Sequence, residues 1–373
     1  MMDPVSTPAP VRLRGVNLGG WLVLEKWMTP SLFEGLEATD ETTWCAELGR
    51  DAPARLRAHW ERFITRDDFA WLAGVGVNAV RIPVGHWIFG PPYPYHARYG
   101  AERHPFVEGG IEVLDRAMQW ASELGLEVVL DLHAAPGCQN GFDNGGIKDV
   151  CEWHTREEYL AHSVEVLGRL AARYAAAPAL HAIEVLNEPR WDVPTGLLEA
   201  YYARAYAAIR AHCSPERVAV VFHDGFRPYA QFQPFFHGSR FENTVFDVHR
   251  YQCFDRADLD MDIHGHLHKA GVLWREEADA LQRDLGVPAI AGEWSLGLDL
   301  KVVSLWADGP YHHALQPLDA FQESVALRAY AAAQLLAFEH YRGWFFWSYR
   351  TETTPAWCFR ECVERGWLPS RFQ

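Results

Sequence analysis

The chain of 373 residues carries 34 Lys and Arg against 49 Asp and Glu, which gives a net charge of −15 at pH 7. An acidic balance of this size argues against nucleic acid or an anionic membrane as a partner, because both are attracted by a positive field. Hydrophobic residues make up 49% of the chain and aromatic residues 13%, a composition typical of a folded globular protein and unlike that of a disordered one.

The first residues lack the basic cluster and apolar run of a secretory leader, and no stretch of about eighteen apolar residues occurs in the chain. We therefore expect no membrane span, a disordered or extended arm over residues 1–10, and one catalytic domain over residues 11–373. The seven cysteines are odd in number and scattered, which favours reduced thiols over a disulfide framework. The expected location is cytoplasmic, or secreted if a leader has been removed.

Eight short runs of apolar and β-branched residues recur along the chain, as buried parallel strands do. They cover residues 13–18, 78–82, 127–132, 182–186, 217–222, 244–248, 288–292 and 343–347. Helical patterns separate most of them, at residues 111–124, 155–174, 196–212, 265–285 and 320–340. This alternation predicts an α/β fold, a single (β/α)8 TIM barrel with its active site at the C-terminal ends of the strands.

Polar or aromatic side chains stand at the predicted end of nearly every strand. They are Asn17, Arg81, His133, Asn187, Glu188, His223, His249, Tyr251, Glu293 and Trp347. Because the C-terminal ends of barrel strands surround one mouth, we expect these side chains to line one pocket. Glu188 follows the fourth strand and Glu293 the seventh, so the two carboxyl groups should face each other. Hydrolysis of a glycosidic bond needs such a pair, although either glutamate alone would more often be a solvated surface residue.

An ordered set of motifs is similar to one known family. Asn187-Glu188-Pro189 after the fourth strand, with a second glutamate after the seventh, resembles the retaining glycoside hydrolases of family 5. Further tracts narrow the resemblance to the exo-β-1,3-glucanases, namely RGVNLGGWLVLE at 14–25, TPSLFE at 29–34, and residues 81–83, 131–133, 139–144, 249–254 and 344–352. The resemblance spans residues 11–370.

The resemblance implies that Glu188 is the acid/base and Glu293 the nucleophile of a double displacement. That chemistry needs Glu188 protonated and Glu293 ionised near neutral pH, and Arg81 at the end of the second strand is the natural partner of the attacking carboxylate. Asn187 would donate to the 2-hydroxyl of the sugar. The other implied substrate-binding residues are Glu25, His133, Asp143, Asn144, His249, Tyr251 and Trp347, with Phe142 and Phe254 as an aromatic clamp at the entrance.

The predicted function is the release of glucose from the non-reducing end of β-1,3-glucans or oligosaccharides by a retaining exo-β-1,3-glucanase or β-glucosidase. An endo-acting β-1,3- or β-1,4-glucanase and a non-catalytic carbohydrate-binding protein are the alternatives, and the segment 296–319 is expected to shape the mouth that separates them. No cofactor is expected, since no phosphate-binding glycine loop is present. The histidines at 264–268 and His312-His313 lack a zinc-like set of neighbours, so no metal is expected either. The oligomeric state stays open, with a monomer as the expectation.

Overall fold

Residues 12–97, 105–298 and 318–372 are described by a computed structural model of the chain. The predicted N-terminal arm, residues 1–10, lies outside the described residues. Eight parallel strands are present: β1 Leu13–Asn17, β2 Ala79–Gly85, β3 Glu127–Ala134, β4 Leu180–Glu184, β5 Ala219–His223, β6 Thr244–Arg250, β7 Ala289–Trp294 and β8 Gly343–Phe346. They are hydrogen-bonded in sequence order, and β8 pairs with β1 to close the barrel. This confirms the predicted (β/α)8 architecture.

The helical connections agree with the predicted ones and add several more. The described helices are α1 Glu41–Leu48, α2 Ala52–Phe63, α3 Arg66–Gly74, α4 Gly110–Leu124, α5 Glu157–Tyr174, α6 Thr195–Arg210, α7 Gln233–Gly238, α8 Arg256–Leu259, α9 Ile263–His268, α10 Trp274–Leu285, α11 Ala320–Phe338 and α12 Phe359–Glu364. A π-helical turn, Lys269–Leu273, joins α9 to α10 within the predicted segment 265–285. Three helices before β2 were not predicted, although Asp40 and Thr65 form capping boxes that mark the starts of α1 and α3.

The main core lies between the barrel and the surrounding helices. Helix α4 shows why these segments are helical, since Val113, Leu114, Ala117, Met118 and Ala121 recur at spacings of three and four residues and are all buried. Among the described residues, no helix combines the length and hydropathy needed to cross a membrane. In the same part of the chain, none of the seven cysteines is joined in a disulfide.

Inside the barrel, an apolar layer supports a polar one. The apolar layer takes at least one residue from every strand: Leu13, Ala79, Val129, Ala182, Ala219, Val221, Val245, Ile290 and Phe345. Strand side chains alternate between the two faces, so residues two positions further along face the same interior, one layer nearer the C-terminal mouth. On β2 to β6 these positions hold the buried residues Arg81, Asp131, Glu184, His223 and Asp247. An ionic layer therefore lies directly beneath the mouth.

Candidate active site

The two glutamates singled out in the sequence meet at the C-terminal mouth and share one neighbour, His249. Glu293 lies within β7, whereas Glu188 follows β4 on a residue with a φ of 43°. Nδ1 of His249 is 2.6 Å from Oε1 of Glu188 and 3.4 Å from Oε2 of Glu293. Since both distances are measured from one nitrogen, these two oxygens can be no more than about 6 Å apart, below the ~6.5–9.5 Å typical of an inverting carboxyl pair.

Arg81 joins the ionic layer to the mouth. Its guanidinium lies 2.6 Å from Glu184, 3.1 Å from Asp131 and 3.0 Å from Oε1 of Glu293, and the side chain is fully buried. The sequence placed Arg81 at the end of the second strand, and this is wrong. Strand β2 runs on to Gly85, so the guanidinium reaches Glu293 from one layer below the mouth. One permanent cation thus contacts three buried carboxylates.

Glu293 is held from several sides. Arg81 donates to Oε1, and the Tyr251 hydroxyl donates to Oε2 at 2.8 Å. The preceding residue, Gly292, donates its N–H to the Asp247 carboxylate at 2.7 Å. A Cβ at Gly292 would lie 2.1 Å from that carboxylate, so the close approach requires glycine. The backbone directly before Glu293 is therefore held by Asp247, a buried acid that was not predicted as a site residue.

Two predicted sugar-binding side chains each keep one polar atom without a partner. Arg81 donates to Oδ1 of Asn187 at 2.8 Å, which leaves Nδ2 of Asn187 without a hydrogen bond to any described residue. Nδ1 of His133 is 2.6 Å from Asp131, and Nε2 of His133 likewise has no described partner. Buried polar atoms without a partner are rare in folded proteins, so both mark a place where a bound molecule could supply one.

Glu25 and the loop after β3 complete this side of the pocket. Glu25 accepts a hydrogen bond from Trp27 at 2.9 Å on Oε2, while its Oε1 has no partner among the described residues. Burial and the charge of Asp143 raise the pKa of Glu25 well above its ordinary value. Burial likewise raises the pKa of Asp143 to about 6. Asn144 donates to Oε2 of Glu188 at 3.3 Å, so this loop contacts a catalytic candidate as well as the pocket.

Aromatic side chains surround the same pocket. Trp347 is buried and its ring is stacked on His133 with a centroid distance of 5.3 Å and an angle of 4°. Phe142 is half-buried on the loop after β3, and Phe254 on the loop after β6 is 50% exposed with its ring against Tyr251. Both phenylalanines follow strand ends at the mouth, while the clamp itself stays a prediction.

His249 lies between the two glutamates and acts on the pKa of both. Burial raises the pKa of Glu188, but the hydrogen bond and charge of His249, together with His133 and Asn144, lower this pKa overall. Burial and the charge of Glu188 raise the pKa of Glu293, against the lowering effect of His249 and Arg81. Burial would lower the pKa of His249, yet Glu293 and Asp247 raise it well above its ordinary value. Sequence reasoning considered the two carboxyl groups without the imidazole between them.

Two groups of donor atoms come close enough to be considered as a metal site. They are Glu188, His223 and His249, and Glu184, Asp247 and His249. Both depend on His249, whose Nδ1 is already within hydrogen-bond distance of Glu188. The histidines at 264–268 fall in neither group, and the predicted pair His312-His313 lies outside the described residues. Permanent positive charge at this place is supplied by Arg81.

Three buried acids next to the pocket were missed as site residues, namely Asp131, Glu184 and Asp247, whereas His223 lies at the end of β5 as predicted. Asp131 and Glu184 contact Arg81, and the His223 ring packs on His249 at a centroid distance of 4.3 Å. A signal was available, because the three acids interrupt apolar strand runs. A charge in a buried strand has to be paired, and barrel interiors pair it across strands.

The chain is similar to known glycoside hydrolases in both sequence and fold. A profile of the family Cellulase (glycosyl hydrolase family 5) matches residues 46–314. The probable glucan 1,3-beta-glucosidase A of Aspergillus fumigatus is 37% identical, with 96% of this chain and 87% of the relative covered. The glucan 1,3-beta-glucosidase of Blumeria graminis is 32% identical, with 96% and 87% covered. The crystal structure of rutinosidase from Aspergillus niger shares the fold, with a TM-score of 0.74 at 19% identity over 95% of this chain and 97% of that one.

Proposed function

Because the chain belongs to glycosyl hydrolase family 5, we propose that it is a retaining exo-β-1,3-glucanase that releases glucose from the non-reducing ends of β-1,3-glucans and their oligosaccharides. Two relatives that are 37% and 32% identical are named glucan 1,3-beta-glucosidases, and they support this substrate. The negative net charge of −15 suits a neutral polymer.

The observation that carries the retaining mechanism is the bridge of His249 between the two glutamates. It limits these two carboxylate oxygens to a separation of about 6 Å, which is shorter than the ~6.5–9.5 Å typical of an inverting carboxyl pair. Glu293 attacks the anomeric carbon and forms a glycosyl-enzyme, and water later opens this ester. Arg81 and Tyr251 orient the attacking carboxylate and keep it ionised by donating to its two oxygens.

Glu188 acts as the acid and base at the leaving oxygen, and it works as a pair with His249. The contact of 2.6 Å lets one proton be shared between them. When the glycosidic bond breaks, Glu188 gives this proton to the leaving oxygen, and it takes a proton back from the water that enters. The covalent bond to the sugar removes the negative charge of Glu293 at the same step, which offsets the charge that Glu188 then carries.

The unpartnered atoms of three side chains suit the hydroxyl groups of one glucose. Nδ2 of Asn187 is an amide donor, as the 2-hydroxyl contact requires, and Nε2 of His133 accepts when Nδ1 carries the hydrogen toward Asp131. Oε1 of Glu25 is an acceptor. Trp347 would then lie under the apolar face of the sugar, and Phe142 and Phe254 would hold the next unit of the chain at the entrance.

Digestion of laminari- and cello-oligosaccharides of equal length tests this function. We expect the laminari series to lose one glucose at a time, while the cello series is cleaved slowly or not at all. Products of intermediate length among the first products would indicate an endo-acting enzyme instead. The matched control is Glu293→Gln, which keeps the shape of the side chain and removes its charge. If the wild-type protein binds laminaritriose without cleaving it, the result would indicate a non-catalytic carbohydrate-binding protein.

A further inference from the structure

Three exposed aromatic side chains follow three successive strands at the mouth. Trp191 is 59% exposed after β4, Phe226 is 41% exposed after β5, and Phe254 is 50% exposed after β6. Strands β4, β5 and β6 are neighbours in the barrel, so these loops are neighbours on its rim. Only five aromatic residues of the described chain are exposed to this degree, and three of them form this arc. Large exposed apolar groups that cluster in this way mark binding surfaces.

Trp191 is exposed, but the backbone on both sides of it is tightly held. The buried Arg227 donates to the carbonyl of Arg190 at 3.1 Å and also to that of Val193. Arg190 and Asp192 flank the indole and form an ion pair with contacts of 2.6 and 2.8 Å. A loop bound this way presents Trp191 in one place, so a ligand that stacks on it pays little ordering entropy.

The same arginine links this loop to the next one along the rim. Arg227 lies in the loop after β5 and donates to the carbonyl of Gly225 in the same loop at 3.0 Å. It also donates to the carbonyl of Arg190 in the loop after β4. A side chain at Gly225 would collide with this guanidinium at 2.1 Å. The loops that carry Trp191 and Phe226 are therefore joined into one unit.

The position of Trp191 relative to Glu188 indicates the side of the cleft on which Trp191 lies. Trp191 follows Glu188 by three residues, so their Cα atoms are at most about 11 Å apart. An acid/base lies beside the oxygen of the leaving group, so a side chain this close to Glu188 in the chain is within reach of the leaving-group side. Phe226 connects back to the same place, because its ring contacts His223 at 5.4 Å and His223 packs on His249.

We propose that Trp191 forms a distal subsite on the leaving-group side, which binds the apolar face of a glucosyl unit beyond the one held at the entrance. An indole suits this ligand because the C–H face of a β-glucosyl ring is flat and apolar. The ion pair of Arg190 and Asp192 beside it has no net charge, as a neutral ligand requires. This subsite rests on the proposed function and deepens it, since it makes the enzyme prefer longer chains.

The test compares kcat/KM for laminaribiose and laminaripentaose in wild type and in Trp191→Ala. We expect the ratio of pentaose to biose to fall about 3- to 10-fold in the variant, the loss of one stacking contact, and to recover in Trp191→Phe. The matched control is Leu336→Ala, another exposed apolar side chain, 68% exposed near the C-terminal end of α11 and so at the opposite end of the barrel. It should keep the wild-type ratio.

The outcomes separate this inference from the proposed function. If wild type cleaves laminaribiose and laminaripentaose but Trp191→Ala keeps the wild-type ratio, or loses both activities equally, the subsite is refuted while the exo-glucanase stands. If wild type cleaves neither, the proposed function fails. Trp191→Ala could instead lower kcat/KM for glucosides with a bulky aromatic leaving group and leave kcat/KM for laminaripentaose unchanged. That result would also overturn the assignment of the subsite to a glucosyl unit. Circular dichroism checks that every variant is folded.

Discussion

Glu41 provides a test of the segment that carries the proposed sugar ligand Glu25, and this test does not depend on the substrate. It begins α1, is 1% exposed, and accepts the backbone N–H of Leu24 at 2.8 Å on Oε2. Leu24 precedes the proposed sugar ligand Glu25, so this contact fixes the segment that carries it. Burial raises the pKa of Glu41 from its ordinary 4.5 to about 8. The carboxyl group is therefore neutral in the folded protein at pH 7.

The magnitude follows from proton linkage. Between pH 4.5 and about 8, the unfolded chain ionises Glu41 while the folded protein keeps its proton, so stability falls as the pH rises. Each pH unit costs about 1.4 kcal/mol, which makes the loss at pH 7 about 3 kcal/mol. Glu41→Gln keeps an oxygen for the Leu24 N–H and removes the ionisation. The variant should match wild type at pH 4 and exceed it by up to this amount at pH 7.

The assay is urea unfolding of wild type and Glu41→Gln at pH 4, 5.5 and 7, which gives the free energy of unfolding at each pH. Glu112→Gln is the control, because Glu112 is an exposed glutamate on α4 and its replacement makes the same chemical change at the surface. A difference between Glu41→Gln and wild type that does not grow with pH would refute the reasoning. It would mean that Glu41 is ionised in the folded protein.

Two further predictions concern the reaction. Glu188→Ala should slow the cleavage of laminaribiose about 10²- to 10⁴-fold and that of a dinitrophenyl glucoside much less, because only the poor leaving group needs a proton; equal losses would contradict its role. Tyr251→Phe removes the donor at 2.8 Å from Glu293, which raises the pKa of that carboxyl group further. The acid limb of the kcat/KM profile should therefore move to higher pH, and an unmoved limb would count against Glu293 as the group that must be ionised.

The barrel could be predicted because each buried strand of a parallel sheet leaves a strong local mark. Eight apolar runs were visible, and the observed strands lie within a few residues of them. The position of Glu188 and Glu293 at the mouth followed from the same pattern, since both directly follow such runs. Strand ends were less certain, and the extension of β2 to Gly85 moved Arg81 from the mouth into the layer beneath it.

The ionic layer could not be derived from local pattern alone. Its members come from five strands, and whether Asp131, Glu184 and Asp247 are paired depends on contacts between residues far apart in the chain. The raised pKa of His249 has the same origin. The pKa of His249 is raised because Asp247 and Glu293 both lie beside it, and no spacing within β6 reveals the second of these neighbours. The pairing of the buried acids and the pKa of His249 therefore depend on contacts between distant residues, which the sequence pattern does not show.

The identity of the group that becomes covalently bound to the sugar tests the central claim most directly. A dinitrophenyl 2-deoxy-2-fluoro-β-glucoside should inactivate the enzyme, because the fluorine slows hydrolysis of the glycosyl-enzyme more than its formation. Mass spectrometry of the digested protein should then find one fluoroglucosyl group, on the peptide that contains Glu293. A label on Glu188, or turnover without any labelled peptide, would contradict double displacement through Glu293.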